Sequence, residues 1–255
     1  MNLVRLLGII LIFVGIVGVT SQVHSATSDY AKLAYIDQTI LVGVGLSFTK
    51  METYSTVGNY FLLSQTNPRL DIRYVSKVEE KFRHTVHGYF VREQYAPENP
   101  SFFIRNREPV NRFGLTYQPQ WFSEGNGVSY GFNLQLKRAN VYSEVPTNAS
   151  LVGNIAQRTS YEAGVAMKWY GQTVSKLPLS LDLDFSYVNH LAVDSTIDYM
   201  AGISYRLALD FDFGRRSYFS NFNIRAFYEY EKIDSSLHAV NTKELGVSLS
   251  RAISF

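Results

Sequence analysis

From Ile40 onward the chain alternates between apolar and small or polar residues with a period of two. Ile40, Val42, Val44, Leu46 and Phe48 fall on one side, and Leu41, Gly43, Gly45, Ser47 and Thr49 on the other. Successive side chains of a strand point to opposite faces, so this is a strand with one greasy face. The pattern recurs. Leu70, Ile72 and Tyr74 oppose Asp71 and Arg73, and Phe113, Leu115, Tyr117 and Trp121 oppose Gly114, Thr116 and Gln118. The clearest run is Val128, Tyr130, Phe132, Leu134 and Leu136 against Ser129, Gly131, Asn133, Gln135 and Lys137. Further runs start at Tyr161, Leu179, Ile197 and Phe222, and their polar faces carry Glu162, Lys168, Asp182, Asp184, Asp198, Arg206, Asp210, Arg225 and Glu229. In 82–95 the phase slips near Gly88, which predicts a β-bulge there, and Arg83 falls on the polar side. The segments 28–36 and 57–65 are weaker strands.

The runs are about ten residues long, and the connections between them alternate short and long, as in a transmembrane β-barrel. Polar stretches at 92–111, 138–158 and 232–242 read as long loops. The stretches at 77–81, 123–127, 171–177 and 212–218 read as tight turns, and 51–56 and Asn67-Pro68 as further turns. With the C-terminus at the periplasmic end, every long loop falls outside and every tight turn inside. Trp121 and Trp169 then lie at the periplasmic ends of their strands, and Tyr187, Tyr228 and Tyr230 near the outer ends, all on the greasy face, as an interfacial aromatic girdle requires. A soluble sandwich would need a second layer to cover this many apolar faces. The expected fold is all-β: a transmembrane antiparallel up-and-down β-barrel of about twelve strands, with about ten as the alternative.

The last strand sets Leu245, Val247, Leu249 and Ile253 against Gly246, Ser248, Ser250 and Ala252, and ends in Phe255. A terminal aromatic on such a strand resembles the C-terminal signature of Gram-negative outer-membrane β-barrels. That resemblance implies recognition of Phe255 by the barrel-assembly machinery. At the other terminus, Arg5 precedes an apolar run from Leu6 to Val19 and a short polar stretch to Ala26. This reads as a secretory signal peptide over 1–25, with 26–255 forming the barrel in the outer membrane of a Gram-negative bacterium.

Composition narrows the chemistry. Eighteen Tyr and seventeen Phe suit a lipid-facing barrel, and a net charge of +2 gives no argument for nucleic acid. Cysteine is absent, so thiolate metal sites and disulfides are excluded. His84 and His87 lack companion ligands at metal-binding spacing, and nothing points to a metal or cofactor. Asp71, Arg73, Arg83, Lys137 and the polar-face charges named above line the lumen. They read either as a selective channel for small hydrophilic solutes, the preferred function, or as a salt-bridged plug. Arg92, Arg105, Arg107, Arg112, Arg138 and Arg158 cluster at the outer ends and suit lipopolysaccharide phosphates, which makes a closed, surface-acting barrel the second reading. A rim hydrolase is the third, resting on His190, Asp194 and Ser195 or on Asp234, Ser235 and His238, none of which matches a known motif. The expected partners are outer-membrane lipid, lipopolysaccharide and the assembly machinery, and the expected state is a monomer.

Overall fold

The computed structural model describes residues 38–55, 59–98, 109–123, 127–146, 151–172, 178–193, 199–213, 221–235 and 238–255. The proposed signal peptide and the weak strand at 28–36 lie outside them. Among the described residues there are twelve strands: β1 (Thr39–Ser55), β2 (Asn59–Ser64), β3 (Asn67–Val75), β4 (Phe82–Glu93), β5 (Tyr95–Pro97), β6 (Val110–Phe122), β7 (Val128–Pro146), β8 (Leu151–Gln172), β9 (Pro178–Val193), β10 (Tyr199–Phe213), β11 (Phe222–Ser235) and β12 (His238–Ser254).

They form one antiparallel sheet that closes where β1 pairs with β12, from Thr39 opposite Ser254 to Ser55 opposite His238. Two of the twelve are continuations. β1 pairs with β3 over its first half and with β2 over its second, and β5 pairs with β2 as β4 pairs with β3. The result is a ten-stranded up-and-down barrel carrying two short outer strands. Closure gives every strand of the ten-stranded ring a neighbour on both sides, which is what lets strands cross a membrane.

The polarity of the wall is inside out. Val44, Leu115, Phe132, Val165, Phe185 and Leu249 are about half exposed on the outer surface, whereas Lys137, Glu162, Asp210 and Glu244 are buried within. Only a hydrocarbon solvent makes this arrangement stable, because each exposed apolar side chain would otherwise cost about 1.5–3 kcal/mol in lost burial. The fold is therefore a transmembrane β-barrel.

Several expected loops and turns are strand. β1 runs through Met51–Ser55, and Asn67 opens β3, where its amide Nδ2 donates to Ser64 Oγ at 2.8 Å. The polar stretches at 138–158 and 232–242 are mostly hairpin arms, since β7 reaches Pro146 and β8 starts at Leu151, and β11 reaches Ser235 and β12 starts at His238. At these two hairpins the wall is long and the connections are short. No bulge occurs at Gly88: β4 pairs in unbroken register with β3 and β6. Tyr89 points inward because its ring lies 4.3 Å from the Arg69 guanidinium, over Gly114, where a Cβ would fall 2.5 Å from the ring.

Candidate functional site: the barrel interior

The interior has three zones. At the end that holds the C-terminus, Leu41, Val75 and Ala252 make a small apolar layer. Arg83 lies at the same end, donating from Nη2 to the Tyr170 hydroxyl at 2.5 Å.

The middle zone is ionic, and its pairs cross the lumen. Arg73 of β3 meets Asp210 of β10 at 3.0 Å, four places away around the ring of ten. Arg225 bridges Asp210 at 2.8 Å and Asp182 at 3.2 Å, and Lys168 holds Asp182 at 2.8 Å. Asp184 binds Arg206 and accepts from Gln118 Nε2 at 2.9 Å. Higher up, the Lys137 ammonium touches three carboxylates: Glu162 and Glu229 at 2.8 Å and Glu231 at 2.5 Å. Arg158 closes on Glu231. Asp71 accepts from Arg69 at 3.0 Å and shares a 2.8 Å hydrogen bond with His87 Nε2. Glu244 takes Arg69 at 3.2 Å and Arg112 at 2.5 Å, and Arg112 also meets Glu93 at 3.1 Å. Oppositely charged groups held this close offset much of the cost of removing them from water. Both strands of the seam carry small inward residues, Gly43, Gly45 and Ser47 on β1 and Gly246, Ser248 and Ser250 on β12. The Phe227 ring occupies the space over Gly246, where a Cβ would fall 2.3 Å from it.

The far zone is apolar. Met51, Leu62, Tyr95, Val141, Tyr142, Ile155, Ala156, Ile233 and Val240 form one buried cluster, with Tyr60 and Val110 packed against it. Four of these residues belong to the β7–β8 hairpin. Its pairing with β6 stops at Arg138 and with β9 at Arg158, yet β7 and β8 stay paired to each other up to Pro146 and Leu151. Ala139, Asn140, Val141 and Tyr142 are all buried, so this part of the hairpin is covered on both faces. Tyr142 stacks on Tyr60 of β2 at 5.7 Å, and Asn140 Nδ2 donates to Glu93 at 2.6 Å. The hairpin thus leans across the mouth and stoppers it.

Of the expected lumen residues, Asp71, Arg73, Arg83, Lys137, Glu162, Asp182, Asp184, Arg206, Asp210, Arg225 and Glu229 are buried inside, and the Lys168 ammonium reaches the same network. Asp198 lies outside the described residues. Arg69, Glu93, Glu231 and Glu244 complete the network. Arg69 and Glu93 were hidden in stretches that read as turn and loop, whereas Glu231 and Glu244 were already on the polar parity. Two of the arginines assigned to lipid phosphates point the other way: Arg112 and Arg158 are 4% and 2% exposed and ion-paired inside. They sit on the inward parity of β6 and β8, where the mouth needs cations to hold Glu93, Glu231 and Glu244. Arg92 and Arg138 are exposed outside, while Arg105 and Arg107 lie outside the described residues. Trp121 and Tyr187 are half exposed on the outer surface, Trp169 and Tyr228 lie partly exposed, and Tyr230 stacks on Tyr205 at 4.9 Å. Phe255 is exposed, and its backbone N–H donates to Gln38 at 3.1 Å. At the rim, His190 approaches Arg158 at 3.5 Å and Asp234 pairs with Lys232 at 3.4 Å, while Asp194, Ser195 and the side chains of Ser235 and His238 lie outside the described residues. His84 faces outward and shares a 2.8 Å hydrogen bond with the Tyr117 hydroxyl.

An apolar outside, an ion-paired inside and an apolar stopper define a membrane-spanning β-barrel whose lumen is filled by its own side chains. No protein-family profile matches the chain, and no curated protein matches it. Among solved structures the chain is similar to an outer membrane channel from Pseudomonas putida F1, at 10% identity and a TM-score of 0.45, over 90% of this chain and 100% of that one. It is also similar to the outer membrane protease OmpT from Escherichia coli, at 9% identity and a TM-score of 0.46, over 86% and 97%. The translocator domain of the autotransporter NalP from Neisseria meningitidis gives 7% identity and a TM-score of 0.43, over 84% and 88%. These are likenesses of fold, shared by proteins with different activities.

Proposed function

We propose that the protein is an exported outer-membrane β-barrel that is closed at rest and acts at the cell surface, without enzymatic activity. The observation that carries this reading is the Lys137 cluster. One ammonium reaches from β7 to two carboxylates on β11, four places around the barrel, so the lumen is tied shut at its centre. A conducting pore needs a continuous water path between segregated charges, whereas the charges here interdigitate and neutralise one another. Residues 1–25 serve as the signal peptide, and Phe255 as the assembly signal. In this reading Arg92 and Arg138, above the apolar belt, contact lipopolysaccharide phosphates of the outer leaflet.

The test is single-channel recording of refolded, inserted protein in a planar bilayer. Silence is the expected result, and stable steps that scale with salt would overturn the closed reading. Replacing Arg92 and Arg138 together with Ser is expected to lower lipopolysaccharide co-purification, and unchanged co-purification would remove the lipid contact from the proposal.

The second reading is a narrow gated channel for small hydrophilic solutes. It is favoured by the β7–β8 hairpin, whose outer arms are paired only to each other and could swing as a unit. Under that reading, deleting 140–157 gives conductance.

A further inference from the structure

On three neighbouring strands the outward row changes from apolar to polar at the same step: Phe90 to Arg92 on β4, Phe113 to Asn111 on β6, and Leu136 to Arg138 on β7. Arg92 stands opposite Asn111, and Arg138 stands opposite Phe113. The two arginines therefore flank β6 from either side. Two strand spacings and an offset of two residues set their Cα atoms about 12 Å apart, a span that two arginine side chains can close onto one group over Asn111.

Both arginines are exposed, and neither has an ion pair among the described residues. The outward lysines on the other flank are different. Lys243 holds Glu52 at 2.8 Å, Lys50 reaches Glu52 at 3.4 Å, and Lys232 pairs with Asp234 at 3.4 Å. The outward neighbours of Arg92 and Arg138 on the three strands are Phe90, Gln94, Asn111, Phe113 and Leu136, none of them acidic. Two unneutralised guanidinium groups directly above an exposed apolar wall fit an anion that carries its own hydrocarbon.

The same place is the base of the stopper. Arg138 is the last residue of β7 paired with β6, and beyond it the β7–β8 hairpin turns inward. Gln157 Nε2 of β8 donates to the Asn111 carbonyl at 3.1 Å. On the inner face, Glu93 and Arg112 follow Arg92 and Asn111 in sequence and pair with each other at 3.1 Å, and Glu93 accepts from Asn140 of the hairpin at 2.6 Å. The outward pair and the contacts that seat the hairpin thus share the ends of two strands.

We propose that Arg92 and Arg138 together clamp one phosphate group of an outer-leaflet glycolipid across Asn111, and that this lipid pins the base of the β7–β8 hairpin to the wall. Guanidinium groups take phosphate oxygens bidentately, so two of them suit a phosphomonoester on a sugar, which offers three free oxygens. The acyl chains lie along the strip of Phe90, Phe113 and Leu136. The inference rests on the surface-lipid contact proposed above and adds to it a single shared site and a consequence for the stopper.

The test uses the full mature chain refolded in nonionic detergent. It is titrated with the phosphorylated lipid A portion of lipopolysaccharide, with the same lipid dephosphorylated, and with phosphatidylglycerol. Native mass spectrometry counts the lipid retained, and amide hydrogen exchange follows 139–146 and 151–157. One phosphorylated lipid A should be retained per chain, and its binding should slow exchange in the hairpin. Arg92→Ser and Arg138→Ser should each weaken retention about tenfold, the double variant little more, and all three should lose the slowing. Lys232→Ser should change neither reading. Equal retention of the dephosphorylated lipid would overturn the phosphate clamp, and equal retention of phosphatidylglycerol would overturn the glycolipid assignment. Retention unchanged in the double variant would sink the surface-lipid contact and this site with it. Two lipids per chain, with each single variant losing one, or hairpin exchange that ignores bound lipid, would leave that contact standing and overturn the shared clamp.

Discussion

The middle of the barrel and its far mouth are built from the same strands with opposite polarity. On β7, Phe132, Leu134 and Leu136 face outward while Asn133, Gln135 and Lys137 face in; a few residues further on, Ala139 and Val141 face in. β1 changes in the same way, from outward Phe48 to inward Met51, and β11 from outward Tyr228 to inward Ile233. The strand geometry does not change at these points, since the pairing of β7 with β8 and of β1 with β12 runs through without a shift. What changes is the medium outside. Where the wall meets lipid the greasy face turns outward, and where it meets water the ordinary rule of an apolar interior returns. The level at which the parity flips marks the outer surface of the membrane.

This contrast can be broken at either zone. The largest effect is expected at the centre. Lys137→Met removes the only ammonium among three carboxylates and should cost about 3–5 kcal/mol, as breaking a buried ion pair does. Urea unfolding followed by heat-modifiable gel mobility would measure it. Replacing Glu229 with Gln in the same chain should recover part of that loss, because the cost lies in the unpaired charge. At the mouth, Tyr142→Ala removes an aromatic anchor of the stopper and should cost about 3 kcal/mol by the same assay. It should leave the bilayer silent, since the ionic middle remains. Conductance in this variant would show that the stopper alone holds the lumen shut.

On the lipid side, Phe132→Arg should cost about 2–4 kcal/mol in lipid vesicles, while Phe222→Arg, close to the C-terminal end of the barrel, should cost about 0–1 kcal/mol, because the penalty depends on depth. Equal costs would place the membrane elsewhere on the wall. Inside the wall, Gly114→Ala sets a methyl against the Tyr89 ring; overpacking of this kind costs about 1–3 kcal/mol, towards the low end if the ring tilts.

The barrel itself was legible in the sequence because a period of two survives wherever lipid lies outside. The inward side of each strand follows from parity, and the described members of the set from Asp71 to Glu229 lie on it. The reading failed where parity flipped. Ala139, Val141 and Ala156 break the phase set by Leu136 and Tyr161, so 138–158 read as a loop although it is mostly paired strand. The same flip concealed Arg112 and Arg158 as lumen residues, because cations beside a supposed loop look solvated. The cross-lumen ties were illegible for a different reason. Asp210 is on the polar face by parity, but that it meets Arg73 depends on how many strands close the ring, and ten against twelve was not decided by pattern.

The closing seam has a consequence for how the protein is made. β1 lies against β12 along its whole length, so Thr39 finds Ser254 only after 215 residues of chain separation. Until that zipper forms, the first half of β1 has a partner on one side only, and Arg69 and Arg112 have no Glu244 to meet. Contacts of such long range are slow to form, and the reward for forming them arrives all at once. Biogenesis should therefore be close to all-or-none. A chain truncated before β12 would leave Arg69 and Arg112 without Glu244 and β1 and β11 as raw edges, so a single event completes the barrel: the meeting of β1 and β12.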